Sequence, residues 1–139
     1  MKQSMPSKFE ARIGGVLGFS FSASLTGKGV EYTEFADGYT PMVTKIIQPT
    51  SAHWHALKKM MDQVEFWQWN REYFNPDVLD GTSWEIECEW GHHAIRTAGS
   101  NAFPSDPDAR RPTYSENESK RFDSLLRAIS QLLGGEPFE

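Results

Sequence analysis

Residues 80–98 read DGTSWEIECEWGHHAIRTA, and the fold is decided here. From Ser83 to Trp90 every position alternates. Trp84, Ile86, Cys88 and Trp90 fall on one side, and Ser83, Glu85, Glu87 and Glu89 on the other. A period of two across eight residues is the signature of a strand with one face buried and one wet. Gly91-His92 supplies a turn, and residues 93–98 return as the antiparallel partner. That register places Thr82 opposite about Asn101 and Glu87 opposite Arg96.

Outward from the hairpin, Leu17, Phe19, Phe21, Ala23 and Leu25 alternate with Gly18, Ser20, Ser22 and Ser24, predicting a strand over 17–25. Its outer positions are all small, which would allow a backbone or ligand to approach closely. Thr26-Gly27-Lys28-Gly29 reads as a hairpin turn leading to a second strand over 30–35. Asp37-Gly38 is another turn, and Met42 to Ile47 a third strand. Thr50 or Ser51 caps a helix whose stripe is Trp54, Leu57, Met61 and Val64. The aromatic burst after Val64 cannot share that stripe, so the chain bends there and ends at Asn75-Pro76. A proline-containing loop crosses residues 105–114. The last helix carries a Ser115/Glu118 capping box, the stripe Phe122, Leu125, Leu126, Ile129, Leu132 and Leu133, and a Gly134-Gly135 stop.

The order β-β-(β)-α-β-β-α predicts an α+β fold: an antiparallel sheet of about five strands with two amphipathic helices packed on one face. Residues 1–8 read as a flexible arm and 9–139 as a single domain. The other face of the sheet would be polar, carrying Ser20, Ser22, Ser24, Glu85, Glu87 and Glu89.

Composition limits the function. The chain has 139 residues, 14 Lys+Arg against 19 Asp+Glu, and a formal net charge of −5. An acidic balance disfavours neutralising phosphates, so no nucleic acid is expected as partner. Anionic lipid is disfavoured for the same reason, and no apolar run reaches the roughly 20 residues that span a bilayer. The first residues lack the apolar core of a secretory signal. A single cysteine, Cys88, excludes an internal disulfide and suits the reducing cytoplasm.

Asp80-Gly81-Thr82-Ser83-Trp84 and Gly99-Ser100-Asn101-Ala102-Phe103-Pro104, with Trp69 and Tyr73 before them, resemble a pattern in small bacterial proteins. In those, a DGTxW turn and strand precede GSNAxP. The resemblance covers roughly residues 66–104 and the last helix. It brings no established activity, and it associates the chain with accessory or immunity-type proteins.

The residues offer few catalytic constellations. His53 and His55 point to different sides of a helix, and His92-His93 sits in a turn. No three ligands converge by spacing, so neither metal nor cofactor is expected. There is no nucleophile elbow and no phosphate loop, and Cys88 faces the apolar side. The expectation is a non-catalytic cytoplasmic protein that occludes another protein by docking on a basic surface of it. Glu85, Glu87 and Glu89, about 6.6–7 Å apart along the strand, would steer it, and Trp67, Trp69 or Tyr73 would anchor it. The alternative is a small-molecule-binding domain or enzyme with a polar pocket of Asp80, Thr82, Ser100 and Asn101 at the end of the 83–98 hairpin. A third is a structural subunit with an exposed apolar patch, for example on the 16–35 hairpin.

Overall fold

The structure is a computed structural model that describes residues 5–15, 19–36, 40–74, 82–104 and 119–138. Its described elements are β1 (Lys8–Gly15), β2 (Ser20–Thr26), β3 (Gly29–Phe35), β4 (Pro41–Ile47), α1 (Ser51–Gln63), a single 3-10 turn (Phe66–Gln68), β5 (Glu72–Phe74), β6 (Thr82–Trp90), β7 (His93–Ser100) and α2 (Lys120–Leu132). The fold is α+β. One seven-stranded sheet runs β4-β3-β2-β1-β6-β7-β5, antiparallel throughout except where β5 joins β7 in parallel. Five strands were expected. The two additional ones are β1, at the centre of the sheet, and the short edge strand β5.

β1 alternates Phe9, Ala11 and Ile13, all buried, with exposed Glu10 and Arg12. It bridges β2 and β6, elements some sixty positions apart in the chain. Pro6 is buried and the Ser7 N–H donates to Glu89 O at 2.9 Å, so the chain is tied to β6 before β1 begins. β2 starts at Ser20 rather than Leu17. Phe19, expected on the apolar side, is 60% exposed, while Phe21 and Ala23 are buried as their spacing requires. Residues 16–18, 37 and 38, 75–81 and 105–118 lie outside the described residues, and with them the Asp37-Gly38 turn, Asn75-Pro76 and the Ser115/Glu118 box.

Both helices cover the face that carries Phe9, Trp84 and Trp90. Trp54 of α1 meets Phe9 and Trp90 edge-on at 6.0 and 5.9 Å. Phe122 of α2 lies 4.9 Å from Trp84 and 5.0 Å from Phe103. Such aromatic pairs add to the stabilisation that burial alone supplies. Thr50 caps α1 with His53 as the reciprocal partner, and Ser119 caps α2 by accepting from Phe122 N. The aromatic burst bends the chain through Glu65 at φ 57°. The Val64 carbonyl at the end of α1 accepts from Arg121 Nη2 at 2.6 Å and Trp69 Nε1 at 3.0 Å. A cation from α2 thereby meets the negative end of α1 and holds the two helices together.

Past the positive-φ glycines Gly134 and Gly135, the tail returns over the same face at β3 and β4. Phe138 packs on Phe21, Glu136 pairs with Lys45, and the Tyr32 hydroxyl reaches Pro137 O at 2.5 Å. Cys88 is fully buried, and burial first, with Glu89 adding, pushes its thiol up to about 12. It stays protonated near neutrality, and the thiolate is the reactive species. The folded protein is therefore expected to resist an aromatic disulfide reagent at neutral pH and to release one equivalent of chromophore once unfolded in guanidinium. Rapid reaction without denaturant would contradict this packing.

Candidate functional site

Among the described residues, no helix covers the opposite face of the sheet. Its residues line up across the six strands from β3 to β5, whose registers are continuous, whereas β4 slips by one residue against Glu34 and Phe35. Phe35, Ser20, Gly14, Ser83, Ser100 and Phe74 form one row, each directly paired with the next. Thr33, Ser22, Arg12, Glu85, Ala98 and Glu72 form the next. Directly opposed side chains of one face are near neighbours. The first row is a strip of small residues with a phenylalanine at either end, and Phe74 is 64% exposed.

The strip forms the floor of a hollow of about 530 Å³ lined by Arg12, Gly14, Glu72, Phe74, Ser83, Glu85, Ala98 and Ser100. A second hollow of about 530 Å³ is lined by Glu10, Arg12, Ser22, Ser24, Phe35 and Glu85. Arg12 and Glu85 are common to both, so they stand on the divide. Gly14 is small for a packing reason: a Cβ there would lie 2.0 Å from Ser20 Cβ. Ser20 Oγ, buried in the same row, has no hydrogen-bond partner among the described residues.

The charges on this face are Lys8, Arg12 and Arg96 against Glu10, Glu31, Glu72, Glu85, Glu87 and Glu89. Three cations against six carboxylates leave an excess of three. Glu87 does sit opposite Arg96, but Arg96 Nη2 bonds Glu85 at 2.8 Å instead, and Glu87 pairs with Lys8 at 3.3 Å. Glu85 is the first cause holding the Arg96 guanidinium above its ordinary range. Glu85, Glu87 and Glu89 therefore form a row on the open face as expected, with two of the three partly neutralised within the chain.

The proposed aromatic anchors separate. Trp69 and Tyr73 are 6% and 7% exposed and belong to the core, so they are withdrawn as surface anchors. Each lies about 6 Å from Trp84: 6.1 Å for Trp69 and 5.9 Å for Tyr73. Burial raises the Tyr73 phenol. Trp67 is half-buried and held on three sides. Its indole N–H donates to Asp62 at 2.9 Å, its ring stacks on His93 at 4.7 Å, and Lys58 Nζ lies 5.9 Å above it. Desolvation works to raise Asp62, but the hydrogen bonds from Lys58 and Trp67 prevail and hold it below its usual value. The exposed aromatic that the sequence reading did not single out is Phe74. Its signal was its place next to Tyr73, since neighbours on a strand face opposite sides.

The alternative site divides in another way. Asp80 lies outside the described residues. Thr82 and Asn101 meet as the hairpin register required, through the Asn101 N–H to Thr82 O at 2.9 Å. Ser100 faces the hollow. The rest of the shared signature is packing: Trp84 Nε1 donates to Ala102 O at 3.0 Å, Ala102, Phe103 and Pro104 are buried, and Asn101 sits at φ 57°. The histidines are dispersed. Among the described residues no group of three or more His, Cys, Asp or Glu side chains is arranged to hold a metal ion. No helix among the described residues is long and apolar enough to cross a membrane.

No protein-family model matches the chain, and no curated protein matches its sequence.

Proposed function

We propose that the chain is a non-catalytic cytoplasmic binding protein of accessory or immunity type. It lays the open face of its sheet against a basic surface of another protein and occludes it. The observation that carries this reading is the aligned row from Phe35 to Phe74, small in the middle and aromatic at both ends. Small residues let a partner's main chain come close, and an exposed aromatic beside a hollow is a common energetic anchor. The excess of carboxylates on the same face favours a basic partner and speeds encounter more than it deepens affinity.

The test is capture from a lysate of the source cells by the native chain, followed by binding kinetics of the captured protein. Phe74→Ala is expected to weaken binding roughly thirtyfold, the effect of losing an aromatic anchor of about 2 kcal/mol. Glu87→Lys is expected to act chiefly on the association rate and to lose its effect in high salt. Capture undiminished by either substitution would end this reading.

The second reading, a polar small molecule, is favoured by the hollow at the Ser83/Ser100 end of the hairpin, where Arg12 and Glu85 supply opposite charges. A ligand there would raise the melting temperature of the isolated chain by mass action. A Ser83→Trp substitution filling the hollow would abolish that rise.

A further inference from the structure

Two of the three cations on the open face are held within the chain: Lys8 by Glu87 and Arg96 by Glu85. Arg12 is the third. It is exposed, stands on the central strand β1, and makes no hydrogen bond or ion pair among the described residues. Its neighbour across the ladder is Glu85, but that carboxylate turns to Arg96. Arg12 therefore presents a free guanidinium where the two hollows meet. At the far wall of the first hollow stands Glu72, exposed and equally without a hydrogen bond or ion pair among the described residues. It acts on Arg96 only through space. Arg12, Glu85, Ala98 and Glu72 share one row, so Arg12 and Glu72 lie three strand spacings, or about 14 Å, apart. In the neighbouring row the floor is Gly14, Ser83 and Ser100. Phe74 stands beside Glu72 on the same side of β5.

Resting on the second reading of function, that this hollow is a ligand site, we propose that its ligand is a short peptide free at both ends, the carboxylate held by Arg12 and the ammonium by Glu72. A planar guanidinium matches a carboxylate through two parallel hydrogen bonds. Phosphate fits less well. Glu10, two residues along the strand, and Glu85, directly opposite, repel a dianion more than a monoanion. A purely cationic ligand would in turn be repelled by Arg12. One charge of each sign complements both walls. The gap between the walls sets the size. An extended chain advances roughly 3.5 Å per residue and an ion pair adds about 3 Å at each end, so two or three residues bridge it. The small floor lets the peptide main chain come close, and the Ser83 and Ser100 hydroxyls can hydrogen-bond to it. Phe74, 64% exposed next to Glu72, offers its ring to the first side chain of the peptide.

The test is calorimetric titration of the full chain with the tripeptide Phe-Gly-Gly, its N-acetyl derivative and its C-terminal amide. The native chain is expected to bind the free tripeptide and to bind either blocked form about fivefold more weakly, the effect of one exposed ion pair. Arg12→Gln is expected to bind acid and amide alike while still preferring the free amine. Glu72→Gln is expected to do the reverse. Both side chains are exposed, so both variants should melt with the native chain. Ser83→Trp fills the hollow and should bind none of the three. Binding of no peptide by the native chain overturns the proposal. So do end preferences that survive Arg12→Gln and Glu72→Gln, or binding untouched by Ser83→Trp. The underlying reading fails separately. A small-molecule extract of the source cells that raises the melting temperature of the native chain but not of Ser83→Trp, with no tripeptide bound, overturns the peptide and keeps the hollow as a ligand site. No rise with extract or tripeptide removes both.

Discussion

Trp84→Ala is expected to lower the unfolding free energy by about 4 kcal/mol, the range for emptying a large aromatic site in a packed core. Trp84 is 3% exposed. Its ring touches Trp69, Tyr73 and Phe122, so strands β5 and β6, the bend after α1 and helix α2 all lose a shared contact. Removal also orphans the Ala102 carbonyl, which accepts from Trp84 Nε1. A buried acceptor without a donor carries its full desolvation penalty. Since domains of this size are stable by roughly 5–15 kcal/mol, the variant would be close to unfolding. Urea denaturation measures the effect. Trp84→Phe separates its parts: it refills most of the volume but leaves the carbonyl orphaned, so its loss should be about half as large. A loss below about 1 kcal/mol for the alanine variant would show that this ring does not organise the core.

Gly99→Ala is expected to cost about 3 kcal/mol, for a single added methyl. Gly99 is paired directly with Trp84 in the β6–β7 hairpin. A Cβ at that position would lie 2.1 Å from Trp84 Nε1 and 2.3 Å from Ala102 O. It would therefore separate the donor from the acceptor of a buried hydrogen bond. Neither atom is the far end of a flexible chain. The ring is held by three aromatic neighbours, and Ala102 is fully buried. A melt of Gly99→Ala beside Gly91→Ala gives the contrast. Nothing lies within 4 Å of a Cβ at Gly91, so only its φ of 61° opposes the substitution there. Equal stability of Gly99→Ala and the native chain would refute the close approach.

These two residues explain the DGTxW and GSNAxP segments in physical terms. The tryptophan of the first donates to the alanine carbonyl of the second, across a glycine that leaves room for the bond. Asn101 takes a left-handed conformation that asparagine tolerates better than most residues. Over its described residues, the signature is thus largely a lock between β6 and the segment after β7. Ser83 and Ser100, on the other face, line the hollow.

Much of this was legible locally. The alternation of Trp84, Ile86, Cys88 and Trp90 with three glutamates determined which side of β6 is buried, because strand side chains alternate irrespective of neighbours. Thr50, the Trp54-Leu57-Met61 stripe, the Gly134-Gly135 stop and the meeting of Thr82 with Asn101 are likewise short-range consequences of capping, helical period and hairpin register. β1 was legible in principle, since Phe9, Ala11 and Ile13 alternate with Lys8, Glu10 and Arg12. It lacks a hairpin partner next to it on its N-terminal side, and its pairing with β6 is a long-range contact that no local pattern announces.

The sequence by itself determined the two-faced character of the strands and the helices that cover one side, since period and capping act over a few residues. Only the tertiary structure decided that β1 sits at the centre, that Trp69 and Tyr73 lie inside while Phe74 lies outside, and that Arg96 bonds Glu85 rather than Glu87. Each of these depends on which distant strands pair and how the sheet places their side chains. That outcome is set by the joint packing of the whole core, to which every local segment contributes and which none specifies alone.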